Sequence, residues 1–155
     1  MTAGLGIELK ALGLKQARER FNGMQERAKN PKRGIEKVAI LAWKDVIAHF
    51  RAEEGPDGKW EPLTDTTFKS RRKGKRKKNP KILQDSGLLR LSNRWKVIDN
   101  GTTAKVFNNT KYAKYHDSNE PRKGSPPILP HRKFMWLSPK LELKFAQMLL
   151  EYIAE

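Results

Sequence analysis

His49, His116 and His131 are the only histidines of the chain, and there is no cysteine. Structural and catalytic zinc cages draw on histidine and cysteine at short, fixed spacings. These three histidines share no such spacing and no adjacent carboxylate pair. His49 lies at the border of an apolar helical stripe, where a histidine held by structural hydrogen bonds is the simpler reading. The absence of cysteine also excludes a thiolate nucleophile and a disulfide framework. Neither a glycine-rich phosphate loop nor a Gly-x-Ser-x-Gly elbow is present. Glu142-Leu143-Lys144, with Asp117 upstream, can be set against a carboxylate–carboxylate–lysine nuclease pattern, but two-metal hydrolysis needs its carboxylates clustered and rigid. Glu142 and Lys144 instead fall in the first turn of a capped helix, where a glutamate favours the helix dipole without any catalytic duty. The expectation is a protein with no catalytic residue, no metal and no cofactor.

Charge is the stronger signal. The 155 residues carry 33 Lys+Arg against 17 Asp+Glu, a net charge of +16. Such a balance makes polyanions or acidic protein surfaces the expected neighbours. More than half of the excess is local, because Lys69 to Lys81 holds nine basic residues and no acidic one. Arg71, Arg72, Lys73, Lys75, Arg76, Lys77 and Lys78 are the candidate contacts to a nucleic-acid backbone or an acidic partner. No aromatic residue is interleaved between Arg71 and Lys81, so there is no stacking platform for single strands. Contact with nucleic acid there would be to phosphates, blind to sequence and strongly weakened by salt. A solubilising loop, or one that docks on an acidic protein, fits the same run equally well. With no apolar residue from Ser70 to Pro80 to bury, a mobile arm is expected over 69–81.

The elements that must position these residues are organised around one long helix, expected from Pro31 to about Glu54. Pro31 suits a first helical position and Asn30 can cap the first turn. Gly55 is expected to take the left-handed cap, and Pro56 cannot continue the helix. Ile35, Val38, Ala39, Ala42, Trp43, Val46, Ile47 and Phe50 form a stripe about half the circumference wide, broader than one covered face requires. Ahead of it, Leu5, Ile7 and Leu9 alternate as a short strand. Leu14, Ala17, Phe21, Met24 and Ala28 follow as the buried face of a first amphipathic helix.

After the tight turn Gly55-Pro56-Asp57-Gly58, Trp60 and Leu63 are expected to anchor the chain, and Thr64 or Asp65 to cap a short helix. Another helical turn is expected near Leu88. Arg94 to Asn108 reads as a β-hairpin turning at Asn100-Gly101, residues that both accept positive φ. Arg132 to Leu137 reads as a further strand. Ser138 and Pro139 then open a final helix with Leu141, Phe145, Met148, Leu149 and Tyr152 buried and Ile153 at the edge. Leu143 and Leu150, seven residues apart, lie on its other side, as more core or as a subunit interface. The sum is a single α+β domain over 1–155, an antiparallel sheet with a hairpin packed on a long central helix between N- and C-terminal helices. No apolar run approaches the ~20 residues that span a bilayer. Met-Thr-Ala-Gly-Leu-Gly lacks the features of a signal peptide, so a soluble protein made in the cytoplasm is expected.

The order of these segments resembles a phage family, the virion morphogenesis or tail-completion proteins, including the Mu-like tail–head joining proteins. The resemblance rests on Gly55-Pro56-Asp57-Gly58-Lys59-Trp60-Glu61-Pro62-Leu63 with Thr67 and Lys69. It continues through Ile82-Leu83-Gln84-Asp85-Ser86-Gly87-Leu88-Leu89 and Ser92, the hairpin, and Tyr112-Ala113-Lys114-Tyr115-His116. Pro130-His131-Arg132-Lys133-Phe134 before Leu137-Ser138 completes it. Where the family has a Gln-Phe-Gly-like sequence after the histidine, this chain has Asp117-Ser118-Asn119. The resemblance implies a non-enzymatic virion protein at the head-proximal end of a phage tail. It further implies a homo-oligomeric ring of unspecified size that meets other neck and tail proteins and the packaged DNA backbone, with no membrane. The alternative is a sequence-nonspecific nucleic-acid-binding module acting through the basic arm.

Overall fold

A computed structural model describes residues 14–73, 79–118 and 130–155. In chain order the elements are α1 (Leu14–Lys29), α2 (Lys32–Ala52), β1 (Glu54–Gly55), β2 (Gly58–Lys59), α3 (Asp65–Lys73) and α4 (Leu88–Leu91). There follow β3 (Asn93–Ile98), a 3-10 turn (Asp99–Gly101), β4 (Thr103–Asn108), α5 (Ala113–Asp117) and α6 (Lys140–Ala154). Among the described residues the strands form two antiparallel pairs, β1 with β2 and β3 with β4. The architecture is α+β, with α2 as its centre. The strand expected at Leu5 to Leu9 lies outside the described residues.

α2 is 21 residues long and buries Gly34, Val38, Ala39, Ala42, Val46, His49 and Phe50. This broad stripe is covered twice, because α2 carries both the β3–β4 hairpin and α6. Phe50 is wholly buried, packed against Phe134 at 5.1 Å between ring centroids and edge-on to Trp60 at 5.7 Å. Val46, Ile82, Leu89 and Ala113 complete the cluster, so five separate segments close on one end of α2. Truncating such a phenylalanine to alanine typically costs about 3–5 kcal/mol.

Both ends of α2 differ from expectation. Asn30 gives no side-chain cap; its carbonyl accepts the Tyr152 hydroxyl at 3.2 Å instead. The left-handed cap is Glu53 (φ 56°), not Gly55, which already pairs with Gly58 in the β1–β2 hairpin. A non-glycine residue is held at this positive φ by what its side chain does. Glu53 Oε1 accepts the Ile82 amide at 2.7 Å, while its own carbonyl accepts the Trp60 amide at 2.8 Å.

The hairpin runs in the register Asn93↔Asn108, Trp95↔Val106 and Val97↔Ala104, closing at Ile98↔Thr103 around Asp99-Asn100-Gly101-Thr102. Asp99, Asn100 and Gly101 all have positive φ. Gly101 is required there on two grounds: its φ is 94°, and a Cβ would sit 2.9 Å from Lys32 Cβ at the start of α2. Trp43 Nε1 donates to the Asn93 carbonyl at 3.0 Å and ties α2 to the hairpin's first residue.

The expected strand at Arg132 to Leu137 is not formed; these residues pair with no strand, and the chain bends at Met135. Their amides are satisfied another way. Asp117 Oδ1 accepts both Phe134 N (3.0 Å) and Met135 N (2.7 Å), and Arg132 N donates to the His116 carbonyl at 3.0 Å. A buried amide needs a partner, and here a carboxylate supplies what a neighbouring strand would. Ser138 likewise does not cap α6 through its side chain. Its hydroxyl and amide donate to the two Asp45 oxygens at 2.9 and 2.8 Å, pinning the start of α6 to α2.

Candidate functional site

Asp45, His49 and Ser138 meet, and these residue types invite comparison with a hydrolytic triad. The connectivity is wrong for that chemistry. The serine hydroxyl bonds Asp45, while a triad needs it bonded to the histidine that takes its proton. His49 Nε2 faces two acceptors, the Trp136 carbonyl at 3.2 Å and Asp45 Oδ2 at 3.3 Å, so this nitrogen is engaged with them and not with the serine hydroxyl. The imidazole is buried and stacked on the Trp136 ring at 4.1 Å. His49 is the structural histidine that its place in the stripe suggests.

The nuclease pattern is not assembled either. Asp117 is used by the Phe134 and Met135 amides, whereas Glu142 and Lys144 lie exposed on α6. His131 Nε2 is 2.8 Å from the Asp117 carbonyl. Among the described residues no group of three His, Asp or Glu side chains has metal-binding geometry.

The segments that carry the family resemblance converge on one region and serve architecture. Trp60 Nε1 donates to the Lys133 carbonyl at 3.0 Å, and Gln84 Nε2 to the Phe50 carbonyl at 2.6 Å. Arg132 is buried and forks onto backbone oxygens: Nε and Nη2 donate to the Glu61 carbonyl at 3.1 and 2.9 Å, and Nη2 also to that of Pro62 at 3.2 Å. Burial lowers the Arg132 pKa; Glu61 opposes the shift and Arg71 adds to it. A guanidinium nonetheless stays charged in proteins, so its hydrogen bonds persist. The sequence marks Arg132 as one basic residue among many, and its role appears only when Glu61 and Pro62 come within reach.

Of the basic run, α3 takes in Lys69 to Lys73, so helix extends further into it than expected. Thr64 accepts the Thr67 amide at α3's start, and the cations at its end complement the helix dipole. Arg71 is partly buried, 3.6 Å from Asp85 and 3.3 Å from the Lys81 carbonyl. It belongs to the fold as well as to the run. Arg72 is exposed, Lys73 closes the helix, and Lys75, Arg76, Lys77 and Lys78 lie outside the described residues.

The apolar helix faces give the most unexpected feature. Leu143 and Leu150 are 76% and 67% exposed on α6. On α1, Ala17, Phe21 and Ala28 are exposed and Met24 only half-buried, with Phe21 at 69%. Among the described residues the face expected to be covered is open, because α1 meets the body near its C-terminal end. There Arg27 Nε donates to the Ile153 carbonyl at 3.0 Å.

Compared with protein-family models, residues 12–154 match the phage virion morphogenesis family. The chain belongs to that family. The match spans nearly the whole length, in agreement with the ordered motifs from Gly55 to Ser138. It is a structural family of virion assembly, and a set of motif residues spent on backbone hydrogen bonds suits it. Searches of curated proteins and of solved structures found no significant match. No helix among the described residues is long and apolar enough to cross a membrane.

Proposed function

We propose that this virion morphogenesis protein is a non-enzymatic subunit at the head-proximal end of a phage tail. Copies form a ring there that completes the tail or joins it to the head, in contact with other neck and tail proteins. The protein is made in the host cytoplasm and resides in the virion. The observation that carries this reading is the family match over nearly the whole chain, on a fold whose signature residues hold loops together while two apolar helix faces stay open among the described residues. A ring subunit has little stability to spare until neighbours cover such surface. Electron microscopy of the purified protein and of particles lacking it tests the proposal. Rings, and tails that fail to join heads or end abnormally, are expected. A monomer at every concentration together with normal particles would refute it.

The basic run favours one addition: Arg72, Lys73, Lys75, Arg76, Lys77 and Lys78 face the DNA backbone or an acidic neighbour in the particle. If the chain is instead a free-standing nucleic-acid-binding module, the isolated protein binds duplex DNA tightly, with an affinity that falls steeply with salt. Changing these six residues to glutamine separates the two. Loss of binding with normal particles favours the module; weak binding throughout with impaired assembly favours the subunit. Arg71 is kept because its Asp85 contact belongs to the fold.

A further inference from the structure

The outer face of the β3–β4 hairpin gathers positive charge that the fold does not use. Strand alternation puts Arg94, Lys96 and Ile98 of β3 on one face with Thr103, Lys105 and Phe107 of β4. The opposite face carries Asn93, Trp95, Val97, Ala104 and Val106, and all of these but Trp95 are buried or half-buried, as the side against α2 must be. On the outer face Arg94, Lys96, Thr103 and Lys105 are exposed, whereas Ile98 and Phe107 are half-buried. Lys96 and Lys105 stand directly opposite one another in the ladder. Like charges in that position repel and weaken a hairpin.

Little nearby offsets the repulsion. From Leu88 to Lys111 the chain has Arg90, Arg94, Lys96, Lys105 and Lys111 against a single carboxylate, Asp99 at the turn. Among the described residues neither Lys96 nor Lys105 is ion-paired. Lys96 Nζ lies 5.6 Å from the centroid of the Phe107 ring. Arg94 Nη1 donates to the Leu91 and Asn93 carbonyls, which holds the guanidinium at the end of the ribbon while its fork keeps further donors. A repulsive pair on an open face is accounted for by a partner of opposite charge.

The side chains also indicate which partner. Protein interfaces are poor in lysine and centre on aromatic or apolar residues, but this face exposes two lysines, an arginine and a threonine. Single-stranded nucleic acid calls for a ring on which bases stack. Phe107 is half-buried with Lys96 over it, and Trp95 belongs to the opposite face. Cations without a stacking ring suit the phosphates of a duplex. We propose that the outer face of the β3–β4 hairpin is a contact surface for the backbone of duplex DNA, made by Lys96 and Lys105 with Arg94 beside them. The contact is blind to sequence, and the phosphates remove the repulsion that the free hairpin carries. It is separate in the chain from the basic run at 69–81 and does not depend on ring formation.

In the full chain, Lys96→Gln/Lys105→Gln is compared with Lys140→Gln/Lys144→Gln, which removes equal charge from exposed positions at the start of α6. Binding to a mixed-sequence duplex is followed by fluorescence anisotropy across a salt series. The hairpin variant is expected to lower the log–log salt slope by about two, one for each lost phosphate contact, and the α6 variant by less than about half a unit. Lys105→Gln alone should raise the melting temperature by about 1 °C, because the repulsion is relieved. Equal losses of slope in the two double variants would reduce the hairpin to its share of the net charge and overturn the proposal. A hairpin variant that binds duplex like the native protein yet builds defective particles would assign the face to an acidic protein and overturn it too. So would a Lys105→Gln variant melting more than about 3 °C lower, since the lysine would then serve the fold.

Discussion

Replacing Gly34 by alanine sets two opposed effects against each other. Within a helix the change removes backbone entropy cost and is worth about 1 kcal/mol in favour of alanine. At Gly34, however, the new Cβ would lie 2.8 Å from Tyr152 Cδ1 and 3.1 Å from Leu149 Cδ2. Tyr152 cannot step aside cheaply: it is buried, and its hydroxyl is bonded to the Asn30 carbonyl. Overpacking of this kind costs roughly 1–3 kcal/mol. The clash therefore prevails, with a net loss of about 1 kcal/mol and a melting temperature lower by about 2–4 °C for a domain of this size. Gly23 is the control. It is also inside a helix, but its added Cβ would meet only Nη1 at the far end of the half-exposed Arg27 side chain, at 3.3 Å, a contact relieved by a small tilt of the guanidinium about its Nε–Ile153 bond. Gly23→Ala should raise the melting temperature by about 2 °C. The two substitutions are compared by scanning calorimetry in one buffer. If Gly34→Ala stabilises as much as Gly23→Ala, the close seating of α6 on α2 is refuted.

Asn93 is buried, donating to the Arg90 carbonyl at 3.0 Å and accepting Asn108 Nδ2 at 2.9 Å. Asn93→Ala removes both bonds from a buried network, although Asn108 Nδ2 keeps the Leu89 carbonyl, and should cost about 1–3 kcal/mol by urea denaturation; a loss under about 0.5 would show the network to be dispensable. Asp117→Ala should cost about 2–3 kcal/mol, since charge-assisted bonds to two amides are lost. Faster hydrogen exchange at Phe134 and Met135 reports the cause, and unchanged exchange there would refute the assignment. Arg132→Lys keeps the charge but not the fork that reaches Glu61 and Pro62, so a loss of about 2 kcal/mol is expected in the same denaturation assay. Full stability in that variant would mean that charge alone suffices.

The periodic patterns by themselves determined α2, α6 and the hairpin. Burying an apolar stripe or an alternating strand depends on spacing that survives any choice of neighbour. Asn100-Gly101 placed the turn because its dihedrals are a local property. The basic run was equally legible as charge, but that Arg71 is tied to Asp85 and Lys81 was not, since both partners lie beyond the run's most basic stretch. Tertiary structure decided wherever a polar group found a distant partner. Glu53 took the left-handed cap because Ile82 needed an acceptor, and Ser138 turned from its own helix to Asp45. Residues 132–137 stayed unpaired because Asp117 satisfied their amides. The same limit holds for α1, whose apolar stripe is plain in the sequence. Spacing says that such a face is to be covered, but only the three-dimensional arrangement shows that the other described residues leave it open.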